Sequence, residues 1–266
     1  MLKLDRIKKK YENHELIIGT HLDIAEPVTA RIIAQQGYDV IWIDMEHSPI
    51  DRRDLNYMLM ALESTPAAVF VRVPDNTPAA IKPILEMKVD GVIFPNVATL
   101  EEAKLGIQSA IYPPVGIRGY GPQGGRDFGN LPMNEYIDKD AKELFRIVQI
   151  EDWRAVDIID QICALPGISA IQIGPVDLSA SMGKLGHVDE EVWAVYERYV
   201  KKARECGILV GTSMGYNSGA QDVIDRWLKL GVDWINCNTD INLVANGAKA
   251  NLDDIRASAL RVGLKL

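Results

Sequence analysis

Eight short apolar runs recur along this chain, with helix-like stretches between them, and this alternation constrains the fold more than any other feature. The runs fall at residues 16–20, 39–44, 68–73, 91–95, 145–151, 170–174, 208–212 and 234–238. Each is rich in Val and Ile and nearly continuous in its apolar character, as parallel strands covered on both faces are. Helical patterns occupy residues 27–36, 52–63, 78–87, 100–109, 155–164, 190–206 and 220–229. Strand and helix in alternation point to an α/β fold with a parallel sheet. A count of eight favours a closed (β/α)8 TIM barrel over an open sheet, formed by residues 1–266 as one domain. Gly37, Gly207 and Gly231 stand where helices are expected to end.

At 266 residues and 47% hydrophobic content, the chain can bury one large core. Its net charge of −8 disfavours a nucleic-acid partner and attraction to an anionic membrane. Cys163, Cys206 and Cys237 are scattered, odd in number and form no CxxC pair, which fits a reducing cytoplasm. The amino-terminal stretch is charged and helical in pattern, with no apolar core of a secretory signal. No stretch is long and apolar enough to span a bilayer as a helix. Two segments break the βα rhythm. Residues 112–126 form a long loop rich in Gly, Pro and Arg, which marks it as functional or disordered. Residues 242–266 read as a last helix with no strand after it, covering the barrel or packing on a neighbouring subunit.

In such a barrel the chemistry sits at the carboxyl ends of the strands. Glu151 closes the fifth run and Asp177 follows the sixth, so both acids emerge at one edge of the sheet. Two carboxylates there suit a hard cation, Mg²⁺ or Mn²⁺ with Co²⁺ as a further option, or a proton-transfer pair. Alternatively, each simply begins a helix as an N-terminal acid. Asp44 and His47 leave the second run together. A carboxylate near an imidazole fixes its tautomer and raises its basicity, while the plainer reading is a loop histidine beside a helix-capping acid. Arg72 interrupts the apolar run Val69-Phe-Val-Arg-Val73, either as a cation for an anionic or carbonyl oxygen or as an ion pair with the next strand. Gln149, Gly174 and Pro175 lie at the exits of the fifth and sixth runs. Glu86 reads as a solvated acid on a helix facing away from the mouth.

Taken in order, Ile43-Asp-Met-Glu-His-Ser48, Phe70-Val-Arg-Val73, Gly91-Val-Ile-Phe-Pro95, Tyr112-Pro-Pro-Val-Gly-Ile-Arg-Gly119, Val148-Gln-Ile-Glu151 and Ile173-Gly-Pro-Val-Asp-Leu-Ser-Ala180 resemble the HpcH/HpaI aldolase family. These are metal-dependent class II aldolases that use pyruvate as nucleophile. The resemblance implies a (β/α)8 barrel assembled as a hexamer, a trimer of dimers, with the last helix exchanged between partner subunits. It implies that Glu151 and Asp177 bind the metal and that His47, paired with Asp44, is the base. It also implies that Arg72 holds the pyruvyl oxygen, Gln149 contacts the substrate, and the backbone from Gly174 through Pro175 and Val176 to Asp177 receives its carboxylate. Glu86 stands where the family carries an Asp that acts across a subunit interface on the aldehyde-derived oxyanion. The stretch Gly-Pro-Gln-Gly-Gly-Arg-Asp127 departs from the family pattern, so the acceptor side of the pocket is expected to differ.

The implied reaction is reversible cleavage of a 4-hydroxy-2-oxo acid to pyruvate and an aldehyde. A Schiff-base route needs a desolvated lysine in the barrel, and none of the eight runs contains one. Three rivals stand beside it, one of which turns the same enolate to another end, such as decarboxylation or carbon–carbon joining to an unusual acceptor. A CoA-thioester lyase of the citramalyl-CoA type wants a basic groove that this acidic chain does not advertise. A non-catalytic barrel that binds 2-oxo acids would not need His47, Arg72, Glu151 and Asp177 together.

Overall fold

The computed structural model describes residues 3–214 and 221–266. Eight parallel strands close into a barrel in chain order, each hydrogen-bonded to the next and β8 to β1. They are β1 Ile17–Leu22, β2 Val40–Asp44, β3 Ala68–Arg72, β4 Gly91–Val97, β5 Phe145–Ile150, β6 Ala170–Ile173, β7 Leu209–Ser213 and β8 Trp234–Thr239. Every apolar run of the sequence became a strand, with ends shifted by up to two residues.

Alternate side chains point inward. Ile17, Val40, Trp42, Phe70, Ile147 and Trp234 belong to the barrel interior. The outward residues, such as Ile41, Val71 and Val148, pack against the helices in a second, larger apolar layer. The amino end is plugged by α1 (Lys3–Glu12), whose Leu4 and Ile7 join the interior cluster. Arg6 and Lys10 of that helix pin it to the buried Asp39 at 2.8 and 2.7 Å. This helix closes the end of the barrel opposite the strand exits.

The helices α2 (Pro27–Ala34), α3 (Arg52–Leu62), α4 (Pro78–Leu85) and α5 (Leu100–Ser109) follow the first four strands. Capping boxes at Asp51/Asp54 and Thr99/Glu102 satisfy the first N–H groups of α3 and α5. The helix expected at 155–164 is split, a 3₁₀ segment at Trp153–Ile158 leading into α6 (Ile159–Cys163). The short α7 (Pro175–Ser181) follows β6 and carries Asp177 in its first turn, so this acid does begin a helix. Then come α8 (Glu190–Glu205) and α9 (Gln221–Leu230). Ala220, where the sequence reading starts the latter, lies outside the described residues, as do Met1 and Leu2.

The long loop is tied down from beneath by one arginine. Arg118 is buried, donates to the Leu85 carbonyl at 3.2 Å and to the Tyr136 hydroxyl at 3.0 Å, and lies 4.5 Å from the Tyr112 ring centroid. The fold also brings the Cys163 thiol beside Cys206, and burial with that neighbour pushes Cys163 up to about 12. Among the described residues no helix is long and apolar enough to cross a membrane.

The final helix, α10 (Asp240–Arg261), does not cover the barrel. Asp240 is its one buried residue, while Val244, Leu252, Ile255 and Leu260 all face solvent.

Candidate active site

The strand exits gather acids around one arginine. Asp44 and Arg72 are register partners on β2 and β3, so their side chains meet inside the mouth. Arg72 is 7% exposed, and its Nε donates to Asp44 Oδ1 at 2.9 Å while Nη2 donates to Asp44 Oδ2. Its third nitrogen, Nη1, lies 2.9 Å from Glu46 Oε2. This fork geometry explains how a guanidinium survives in an apolar strand: its charge is matched before it is buried. The Arg72 guanidinium holds Asp44 below the usual carboxylate range, against the upward push of burial.

That pairing changes one expectation. Asp44 does not touch the His47 imidazole; its Oδ1 instead receives the backbone N–H groups of Glu46 and, at 3.4 Å, His47. The ring neighbour of His47 is Glu46, with Oε2 at 3.6 Å from Nε2. The imidazole is 64% exposed, facing the open mouth.

Glu151 lies across the mouth, 6% exposed. Its Oε2 accepts the Asn96 backbone N–H at 2.7 Å and its Oε1 accepts from Gln149 Nε2 at 2.8 Å. Gly174 leaves the space this carboxylate needs, since a Cβ there would sit 2.5 Å from Glu151 Oε1. Burial first, and then the charges of Asp177 and Glu46, push Glu151 up to about 8, although the Asn96 N–H and Arg72 pull the other way. Asp177 sits in the first turn of α7, exposed at the mouth. A buried carboxyl crowded by two further acids is a site that a cation would relieve.

The oxygen donors fit a hard divalent ion. Among the described residues no three His, Cys, Asp or Glu side chains cluster as a self-sufficient metal site. Two carboxylates completed by water and substrate oxygens are the habit of Mg²⁺. Glu151 and Asp177 are the residues that would hold it.

The remaining expected residues fall into two groups. Gln149 reaches the mouth floor, with Oε1 buried and unpartnered among the described residues. Gly174 caps α7, whose first turn leaves the Val176 and Asp177 N–H groups without intrahelical partners. Pro175 offers no N–H, and its carbonyl is already taken by the Tyr196 hydroxyl at 2.7 Å. Glu86 corrects the sequence reading. It is no solvated helix acid: both carboxylate oxygens are buried beneath the long loop and unpartnered among the described residues. Burial raises its pKa, with Arg118 and Lys82 opposing. A bare strand-exit search missed Glu46, Asn96 and His21. Glu46 was in plain view within Asp44-Met-Glu46-His47, but its grip on Arg72 depends on the register of β2 and β3. His21 fell beyond the expected end of the first strand, which runs on to Leu22.

His21 is 6% exposed, and burial together with the Arg72 charge holds its imidazole down to about 3. Between pH 3 and the ordinary value of 6.5 the unfolded chain therefore carries a proton on His21 that the folded chain refuses. Stability must fall as pH drops through that window. In melts from pH 7 to pH 4, His21→Gln should lose less stability than the wild type; parallel loss in the two proteins would contradict this burial of a neutral ring.

A closed parallel barrel with acids and a paired arginine gathered at its strand exits has the architecture of the TIM-barrel class, whose active sites lie at that end. Residues 18–238 match the family described as HpcH/HpaI aldolase/citrate lyase, and the chain belongs to that family. The hydroxypyruvate/pyruvate aldolase of Agrobacterium fabrum is 34% identical over 88% of this chain and 86% of its own length. The 5-keto-4-deoxy-D-glucarate aldolase of Salmonella arizonae is 31% identical over 95% of this chain and 97% of its own. Among solved structures, an HpcH/HpaI aldolase/citrate lyase family protein from Burkholderia cenocepacia superposes with a TM-score of 0.85 at 27% identity, covering 94% of this chain and 99% of that one. The chain is an aldolase, a carbon–carbon lyase.

Proposed function

We propose that this protein is a metal-dependent pyruvate aldolase that reversibly cleaves a 4-hydroxy-2-oxo acid to pyruvate and an aldehyde. The observation that carries this reading is the buried Glu151 carboxylate, flanked by Asp177 and Glu46 and facing the Arg72 fork across one mouth. The names of the Agrobacterium and Salmonella relatives point the same way. When bound by Glu151 and Asp177, Mg²⁺ or Mn²⁺ would supply Lewis-acid polarisation of the 2-oxo group.

The chain's own residues do the rest. Arg72, held in place by Asp44 and Glu46, presents its positive charge to the substrate's C2 oxygen. The free N–H groups of Val176 and Asp177 receive the substrate carboxylate at the start of α7. His47, exposed at the mouth, takes the proton from the C4 hydroxyl, directly or through one water. The C3–C4 bond then breaks, C4 leaves as the aldehyde carbonyl, and the bonding pair moves into the C2–C3 enolate, with its charge on oxygen. Protonation at C3 gives pyruvate. Gln149 orients Glu151 through its amide and offers its free oxygen to the floor of the pocket.

Retro-aldol assays against a panel of 4-hydroxy-2-oxo acids, with and without EDTA, test the reading. Chelator-sensitive release of pyruvate supports it. Absence of pyruvate from every member of the panel, with Mg²⁺ and Mn²⁺ both supplied, contradicts it.

The apolar side chains along α10 support an exchanged helix in a hexamer, where a neighbouring subunit would cover them. Ile255 is 58% exposed in the single chain, so Ile255→Glu should leave the melting temperature of an isolated subunit almost unchanged. In the assembly it should weaken association by about 10–100-fold, the worth of one buried apolar side chain. Light scattering would show the mutant dissociating at concentrations where the wild type stays assembled; a monomeric wild type would remove the exchange. Cys163, Cys206 and Cys237, all free thiols, favour a reducing cytoplasm as its place of work.

A further inference from the structure

The wall formed by β7, β8 and β1 is polar in a way that the proposed chemistry does not use. His21 pairs in register with Trp42, an interior residue, and its ring centroid lies 4.7 Å from the indole. Its side chain therefore points into the barrel, at the last inward position of β1. Ser213 occupies the corresponding position at the end of β7, two steps beyond Gly211 and four beyond the interior Leu209. The Ser213 hydroxyl meets His21 Nε2 at 2.9 Å. Among the described residues the Ser213 hydroxyl is the one hydrogen-bond partner found for the imidazole, through Nε2.

Near this pair the otherwise apolar barrel interior carries two buried amides. Gln172 and Asn236 are fully buried, and Gln172 Nε2, Gln172 Oε1 and Asn236 Nδ2 find no partner among the described residues. Gly211 makes room for Gln172, because a Cβ there would lie 2.0 Å from its Oε1. Buried polar atoms of this kind are matched by ordered water or by a ligand. An apolar acceptor pocket would be filled by apolar side chains at these positions instead.

We infer that His21 and Ser213 form the acceptor-recognition pair of this mouth, binding the hydroxyl group of a hydroxylated aldehyde while the acids and Arg72 hold the pyruvyl half. The inference rests on the aldolase reading above. The imidazole stays neutral through the physiological range, so it meets the acceptor as a donor or acceptor of hydrogen bonds rather than as a charge. A site built to hydrogen-bond a substrate hydroxyl discriminates against the analogue that lacks it, because its own polar groups are then left unpaired.

Glycolaldehyde and propanal differ by one hydroxyl in place of a methyl group, so they isolate this contact. Addition of pyruvate to each would be followed in wild type, His21→Phe and Ser213→Ala. For His21→Phe, kcat/KM for glycolaldehyde should fall by about 10–100-fold, the scale of one or two hydrogen bonds, with the loss mainly in its KM. Propanal should change by less than about threefold. Ser213→Ala, a smaller change, should move the ratio the same way by about 2–10-fold. Equal losses on both aldehydes would mean that His21 only supports the fold, and an unchanged ratio in both variants would overturn the pair outright. Exchange of pyruvate C3 protons in wild-type enzyme is read in parallel. Exchange with an unchanged aldehyde ratio sinks the acceptor pair alone, whereas no exchange at all sinks the aldolase reading on which it rests.

Discussion

Glu151→Gln should abolish metal-dependent exchange of pyruvate C3 protons, with a loss exceeding ~100-fold, the upper range for groups that merely orient a metal ligand. Asp177→Asn should do the same. The exchange is read by NMR in D2O with Mn²⁺ or Mg²⁺ supplied, and undiminished exchange in either variant refutes the ligand assignment. The fold should not suffer. The introduced amide would keep an oxygen for the Asn96 N–H that Glu151 now accepts at 2.7 Å, and the change removes a charge from a crowded, buried place. The sign of the pH effect follows. Glu151 ionises near 4.5 in the unfolded chain and near 8 in the folded one. Between those values the folded state holds a proton that unfolding releases, so raising the pH weakens the metal-free protein. Metal-free Glu151→Gln should lack that decline between pH 5 and pH 8, and a saturating cation should erase it in the wild type.

His47→Ala should lower aldol cleavage by ~10²–10⁴-fold, the scale of a lost general base. Its imidazole is 64% exposed, so stability should stay within about 0.5 kcal/mol of wild type. The change should be larger in cleavage, where the C4 hydroxyl must lose its proton, than in binding of pyruvate. A cleavage rate near that of wild type would remove His47 from the mechanism. Glu46→Gln offers the complementary reading. Glu46 is the side chain near both the imidazole and the Arg72 fork, at 3.6 and 2.9 Å. Asp44, tied to Arg72 by two hydrogen bonds, serves the guanidinium rather than the imidazole.

The barrel was legible because burial on both faces leaves a strong signal. Runs such as Val40–Asp44 and Ala68–Arg72 are buried at every residue, and their unbroken hydrocarbon up to the final charged residue marks them. The placement of Glu151, Asp177 and Arg72 at the strand exits was legible for the opposite reason, as charges standing in or just after such runs. What could not be read was anything set by pairing between strands. Whether Asp44 turns to His47 or to Arg72 depends on the β2–β3 register, and a sequence does not print its register. Glu86 was misread because its burial comes from a loop many residues away, anchored by Arg118. His21 was missed because β1 runs two residues past the point where its apolar character ends, carried by hydrogen bonds to β2.

The central claim is a cation gripped by Glu151 and Asp177. Anomalous scattering from crystals soaked with Mn²⁺ and pyruvate tests it most directly. The account predicts a strong peak between those two carboxylates, with pyruvate oxygens completing its coordination beside Arg72. A mouth free of anomalous signal at saturating Mn²⁺ would contradict it.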